Sequence, residues 1–254
     1  MYLRPHVVFK VKELDDTIDI ITSFFEHDYT LDGRFQQNLA KHFGFESNSL
    51  MGLTWEQKRE IVAKAVTPIH EQNLELMENK VKEFQSYWND NAGLICAELE
   101  RVFRINFKGI QQYTAEINVN PICPRFLNER SFDVNFNSSK ENALQTCIHE
   151  LIHFCWFDLW QELFPETEPE KFETPHTEWL LSEIAIDPIV YFGSFKDLFN
   201  EKPAYNYFYD STIWGENLIE VFRKLYKANS IDNFMERGLK LLNNNPDVVK
   251  ELVK

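Results

Sequence analysis

Two histidines four residues apart, with a glutamate directly after the first, form the segment of this chain best suited to do chemistry: His149-Glu150-Leu151-Ile152-His153. Positions i and i+4 of a helix share a face, so both imidazoles can reach one zinc ion. Glu150 falls one step around the helix, beside the metal without being a ligand, where it can accept a proton from zinc-bound water. The pattern therefore implies hydrolysis by an activated water. The surrounding residues are almost all apolar, and burying two His and a Glu among them without a compensating partner is costly.

A hydrolytic zinc site needs a third protein ligand and one open position. The short continuation H-x-x-G-x-x-H fails, because Trp156 stands at the glycine position and Leu159 at the third histidine. A carboxylate from a later helix is the other source. Glu183, in Glu183-Ile184-Ala185-Ile186-Asp187, supplies it, with Asp187 four residues on and on the same face. Trp179, Leu180, Leu181, Ile184 and Ile186 surround the pair, so its charge must be compensated. His176 and Glu178 compete for the ligand role, but neither has an aspartate four residues later.

The H-E-L-I-H run followed by E-x-x-x-D resembles the gluzincin group of zinc metallopeptidases, the thermolysin-like branch of the zincins, over about residues 100–190. The resemblance implies a zincin-like α+β fold and zinc-dependent hydrolysis of a peptide or protein substrate. It makes His149, His153 and Glu183 the zinc ligands and Glu150 the general base. It also makes Asp187 the carboxylate that orients the first histidine, a role that matches the general habit of ligating imidazoles. Phe132–Phe136 would be the edge strand that pairs with an extended substrate. The family's downstream oxyanion-stabilising histidine has no counterpart, since no His follows His176. Some gluzincins use tyrosine there, which points to the cluster Tyr205, Tyr207 and Tyr209, with Tyr209 the first choice beside Asp210. Met77-Glu78-Asn79 has Glu75 where the aminopeptidase Gly-x-Met-x-Asn motif has glycine, so endo- against exo-cleavage stays open. A non-catalytic zincin-fold interaction protein with a retained or vestigial metal site is the alternative.

These residues must be positioned by a particular run of elements. Val7–Val11 reads as a short strand, Ile18–Phe25 as a short helix, and Thr54 to about Trp88 as a helix kinked near Pro68. Val102–Phe107, Tyr113–Val119 and Phe132–Phe136 alternate as sheet strands. Ser138 and Glu141 have capping-box spacing for a buried helix running to about Trp160. Thr174-Pro175 opens a helix from His176 to about Asp187, and two amphipathic helices follow near 216–228 and 231–243. The expected fold is α+β and mostly helical, with a small mixed sheet before the active-site helix. Residues 1–95 form a helical N-terminal region, 96–190 the core and 191–254 a helical C-terminal lobe, all within one compact unit.

The composition narrows the partners. The 254 residues carry 26 Lys plus Arg against 40 Asp plus Glu, a formal charge of −14, which opposes nucleic-acid binding. With 44% hydrophobic residues and 22 Phe there is ample material for a core. No uncharged run reaches membrane-spanning length, and the N-terminus lacks a signal-like apolar stretch, so a soluble cytoplasmic protein without a membrane partner is expected. Cys96, Cys123, Cys147 and Cys155 read as reduced thiols, and Cys147 and Cys155, which flank the histidines, read as small core residues. Glu162, Glu166, Glu168, Glu170 and Glu173 fill the loop between the two metal-bearing helices; they are solvated charge, or else favour Lys- or Arg-containing substrates.

Overall fold

In a computed structural model, residues 6–26, 33–105 and 112–253 are described. They are mostly helical with a small mixed sheet. In chain order the elements are β1 (His6–Val11), α1 (Leu14–Ser23), α2 (Arg34–His42), α3 (Trp55–Phe103), β2 (Gln112–Asn118), β3 (Arg125–Phe126), β4 (Ser131–Asn135) and α4 (Lys140–Leu163). They continue with α5 (Thr177–Phe192), α6 (Asn206–Asp210), β5 (Thr212–Ile213), β6 (Glu216–Asn217), α7 (Leu218–Lys227), α8 (Ile231–Asn243) and α9 (Pro246–Leu252). No helix among the described residues is long and apolar enough to cross a membrane.

The chain divides into two compact units. One comprises His6–Trp88 and Gln112–Ala143; the described part of the other runs over residues 89–105 and 144–253. Both α3 and α4 contribute residues to each unit.

The first unit holds a four-stranded sheet in the order β1-β2-β4-β3, with the first three strands parallel and β3 antiparallel to β4. Its register sorts the side chains by face. Val7 pairs with Tyr113; Phe9 pairs with Ala115, which pairs with Phe132; and Val11 pairs with Ile117, which pairs with Val134, making one apolar face. Lys10, Glu116 and Asp133 align on the other, where Lys12 reaches both carboxylates, Glu116 at 2.6 Å and Asp133 at 2.9 Å. Lys12 and Asp133 are 4% and 0% exposed, so this face carries a buried ion cluster. The expected edge strand is corrected: β4 lies between β2 and β3, because residues 119–130 loop around to place Arg125–Phe126 on its outer side.

The expected strand at Val102–Phe107 is also corrected where it is described. Val102 and Phe103 end α3, and Ile95, Leu99, Val102 and Phe103 form a buried stripe at helical spacing that outweighs the alternation of the short run. Arg104 follows at φ 54, the left-handed conformation that ends many helices. Phe107 lies outside the described residues. Thr54 and Gln57 cap α3 reciprocally, the backbone N–H of each donating to the side-chain oxygen of the other.

The second unit is built around α5, which is buried from Leu180 to Val190 and packs against α7 and α8. The approach of α8 is close: a Cβ on Gly238 would lie 2.8 Å from Leu181 Cδ1. The helix starts at Thr177 with His176 as its cap, rather than at the expected Thr174-Pro175. It also passes through Pro188, where it was expected to stop, because burial of Ile186, Ile189 and Val190 outweighs the backbone bond that Pro188 removes. Beyond it, the buried carboxylate of Glu98 accepts from the backbone N–H and the hydroxyl of Ser194. The cap of α4 is Ser139 in place of Ser138, its hydroxyl accepting from the N–H of Asn142 at 3.1 Å.

Candidate metal centre

His149 and His153 stand one turn apart on α4, and Glu183 faces them from α5. The two Nε2 atoms are 3.0 Å apart; Glu183 Oε2 is 3.5 Å from the first and Oε1 is 3.3 Å from the second. Among the described residues these three make the one group of potential ligands whose donor atoms all lie within 4.8 Å of one another. A tetrahedral ion with bonds of about 2.0–2.1 Å spaces its ligand atoms about 3.3 Å apart, so the three donors fit such an ion. The centre is reached from one side: the side chain of His149 is 23% exposed, against 0% for His153 and 3% for Glu183.

The electrostatics match this convergence. Burial works to raise the carboxyl of Glu183, but the imidazoles of His153 and His149 overcome it and hold the group well below the usual carboxylate range. Glu150 is buried on the same helix, directly after a member of the triad. Phe157 stacks on the His153 ring at 6.0 Å between centroids and itself packs on Phe172, which stiffens that imidazole's wall. Cys147 and Cys155 are buried free thiols, and burial together with nearby Glu150 pushes the Cys147 thiol well up, so it stays protonated. His176 and Glu178 do not join the triad; the ring of His176 meets Lys171 at 3.4 Å.

The residues expected next to the ligands are arranged differently from the sequence reading. Asp187 is buried one turn beyond Glu183, but its carboxylate does not serve His149: Arg223 donates to it through Nε at 2.7 Å and Nη2 at 2.9 Å, and Tyr209 donates its hydroxyl at 2.5 Å. Tyr209, expected to donate to an oxyanion, is thereby committed to Asp187. Burial and Asp187 push its hydroxyl pKa up. Tyr207 is the tyrosine that senses Glu183: burial first, and then that carboxylate, raise its hydroxyl above the ordinary value. Arg223 was missed by sequence reasoning, because nothing local ties a residue of an amphipathic helix to an aspartate 36 positions earlier. Of the glutamates expected in the loop, Glu162 lies in the last turn of α4, which runs past Trp160, and Glu166, Glu168, Glu170 and Glu173 follow the helix; all five are exposed.

No protein-family model matches the chain, and comparisons with curated proteins and with solved structures likewise found no match.

Proposed function

We propose that this chain is a zinc-dependent peptidase of the gluzincin type on a zincin-like fold, hydrolysing peptide bonds with Glu150 as general base. The observation that carries the reading is the convergence of His149 Nε2, His153 Nε2 and a Glu183 oxygen at 3.0–3.5 Å, with Glu150 next to the first ligand. Two imidazoles and one carboxylate are the donor set of a catalytic zinc site with an open position. Zinc held there would supply Lewis acidity and lower the pKa of a water in that position. Glu150 accepts the proton of the attacking water on its carboxylate and returns it to the leaving amine.

Tyr207 is the donor best suited to the developing oxyanion, since burial and the charge of Glu183 raise its hydroxyl and keep it protonated. Tyr209 and Arg223 act at one remove, fixing Asp187 and hence the turn of α5 that carries Glu183. A non-catalytic protein that merely keeps the metal has no use for a buried carboxylate at position 150, which favours the enzyme.

Metal analysis after equilibrium dialysis tests the ligand set. Native protein should hold one zinc per chain, and Glu183→Ala and His153→Ala should lose it. Full stoichiometry with unchanged affinity in Glu183→Ala would remove Glu183 from the set.

A further inference from the structure

One turn beyond Glu183 on α5, Asp187 enters the wall of a cavity of about 430 Å³ that also includes Tyr191, Lys196, Lys202, Tyr209 and Arg223. We propose that it is an anion subsite that receives a carboxylate of the substrate, either an acidic side chain or a C-terminus, close to the bond that is cut. The proposal rests on the peptidase reading and names its substrate class.

The charges in this wall run against the rest of the molecule. In a chain of formal charge −14, three cations line one cavity. Arg223 is already neutralised by Asp187, and by Glu220 at 2.8 Å. The two lysines are not. Lys202 Nζ sits over the Tyr209 ring at 4.5 Å from its centroid, and Lys196 Nζ over the Tyr191 ring at 5.1 Å. Among the described residues neither forms an ion pair, although the exposed Glu201 also lines the cavity. Ring faces thus hold both ammonium groups at modest cost while leaving their charge available to a ligand.

The wall is continuous. Lys202 lies on Tyr209, Tyr209 bonds Asp187, Asp187 grips Arg223, and Arg223 stacks on Tyr191 at 3.8 Å beside Lys196. Such a frame is preorganised, so an anion need not order it on binding. The cavity falls within the volume range of small-ligand pockets, about 300–1,000 Å³, and so has room for a residue as well as its carboxylate. The tyrosine rings offer apolar wall for the attached carbons.

Position links the cavity to the chemistry. Asp187 follows Glu183 by four residues, a rise of about 6 Å along the helix on the same face. A peptide chain advances about 3.3–3.6 Å per residue, so one helical turn along α5 corresponds to about two residues of an extended substrate.

Binding can be read without turnover in Glu150→Gln. Four labelled peptides of otherwise identical sequence serve as probes: amidated with an internal Glu, neutral with a free C-terminus, neutral and amidated, and amidated with an internal Lys. Fluorescence anisotropy should show at least one carboxylate peptide binding tenfold or more tightly than the neutral amide, and which one gains identifies the carboxylate's source. The advantage should fall below threefold when Lys196→Gln and Lys202→Gln are added, return with Lys196→Arg and Lys202→Arg, and weaken with salt. Both lysines are exposed, so the substitutions leave the fold intact, as melting by circular dichroism will report. Equal affinities, a gain for the Lys peptide, or selectivity that survives the glutamine pair would overturn the subsite. Selective binding with no hydrolysis by native protein would sink the peptidase reading and leave the subsite standing. Hydrolysis without carboxylate preference would sink the subsite alone.

Discussion

Arg223 and Asp187 form a two-pronged ion pair, Nε to Oδ1 at 2.7 Å and Nη2 to Oδ2 at 2.9 Å, which Tyr209 completes with a hydrogen bond to Oδ2. The pair ties α7 to α5 one turn from Glu183. Asp187 is fully buried, so these donors stand in for the water its carboxylate cannot reach. Arg223→Met should therefore cost about 3 kcal/mol, because it strands a buried carboxylate. Arg223→Lys should recover only part of that, having no planar fork. Urea unfolding measures both, and a loss under about 0.5 kcal/mol for Arg223→Met would contradict the role.

A pH dependence should come from the sheet. Burial raises the carboxyl of Asp133 from 3.8 to about 6, even though Lys12 works against the shift and shares its charge with Glu116. A raised acid binds its proton more tightly in the folded chain, so this group's contribution to stability falls as pH climbs from about 4 to about 6 and is level above that. The full effect is about 3 kcal/mol. Glu116 is perturbed the opposite way: burial would raise it, but Lys12 and Lys10 bring it below 4.5, so its stabilisation is present above that pH and lost in more acid solution. Carbon-13 titration of the Asp133 carboxyl should give a midpoint near 6, and Asp133→Asn should abolish the decline between pH 4 and 6. A midpoint near 4 would refute the assignment.

Tyr207 and Tyr209 should separate cleanly. Tyr207→Phe should lower kcat roughly 100-fold or more while zinc content and melting temperature hold, as expected for loss of one oxyanion donor. Tyr209→Phe should instead lower stability by about 1–3 kcal/mol through the Asp187 bond. If Tyr207→Phe keeps full kcat, the donor is another group.

How much of this was legible follows from range. His149 and His153 are local partners, fixed by helical spacing, and Glu183 stood out as a charge among apolar neighbours. β2 and β4 lie within a residue of the expected Tyr113–Val119 and Phe132–Phe136, because period-two alternation is also local. The interior place of β4 was not legible, since pairing order depends on how the loop at 119–130 returns. The tyrosines misled for a geometric reason. Spaced by two, Tyr207 and Tyr209 look equivalent, but within α6 they point about 200° apart, and only Tyr209 donates to Asp187 while Tyr207 feels the charge of Glu183. The Arg223 partnership is purely tertiary, and no window of sequence contains it.

The central claim is that Glu150 moves the proton at a zinc site, and one comparison tests it most directly: zinc content and hydrolysis of a broad peptide library for native protein and Glu150→Gln. Native protein should bind one zinc and cleave. Glu150→Gln should keep the zinc and lose at least 100-fold in rate, the lower end expected for removing a general base. Zinc bound with no cleavage by native protein, or cleavage undiminished in Glu150→Gln, would contradict the account.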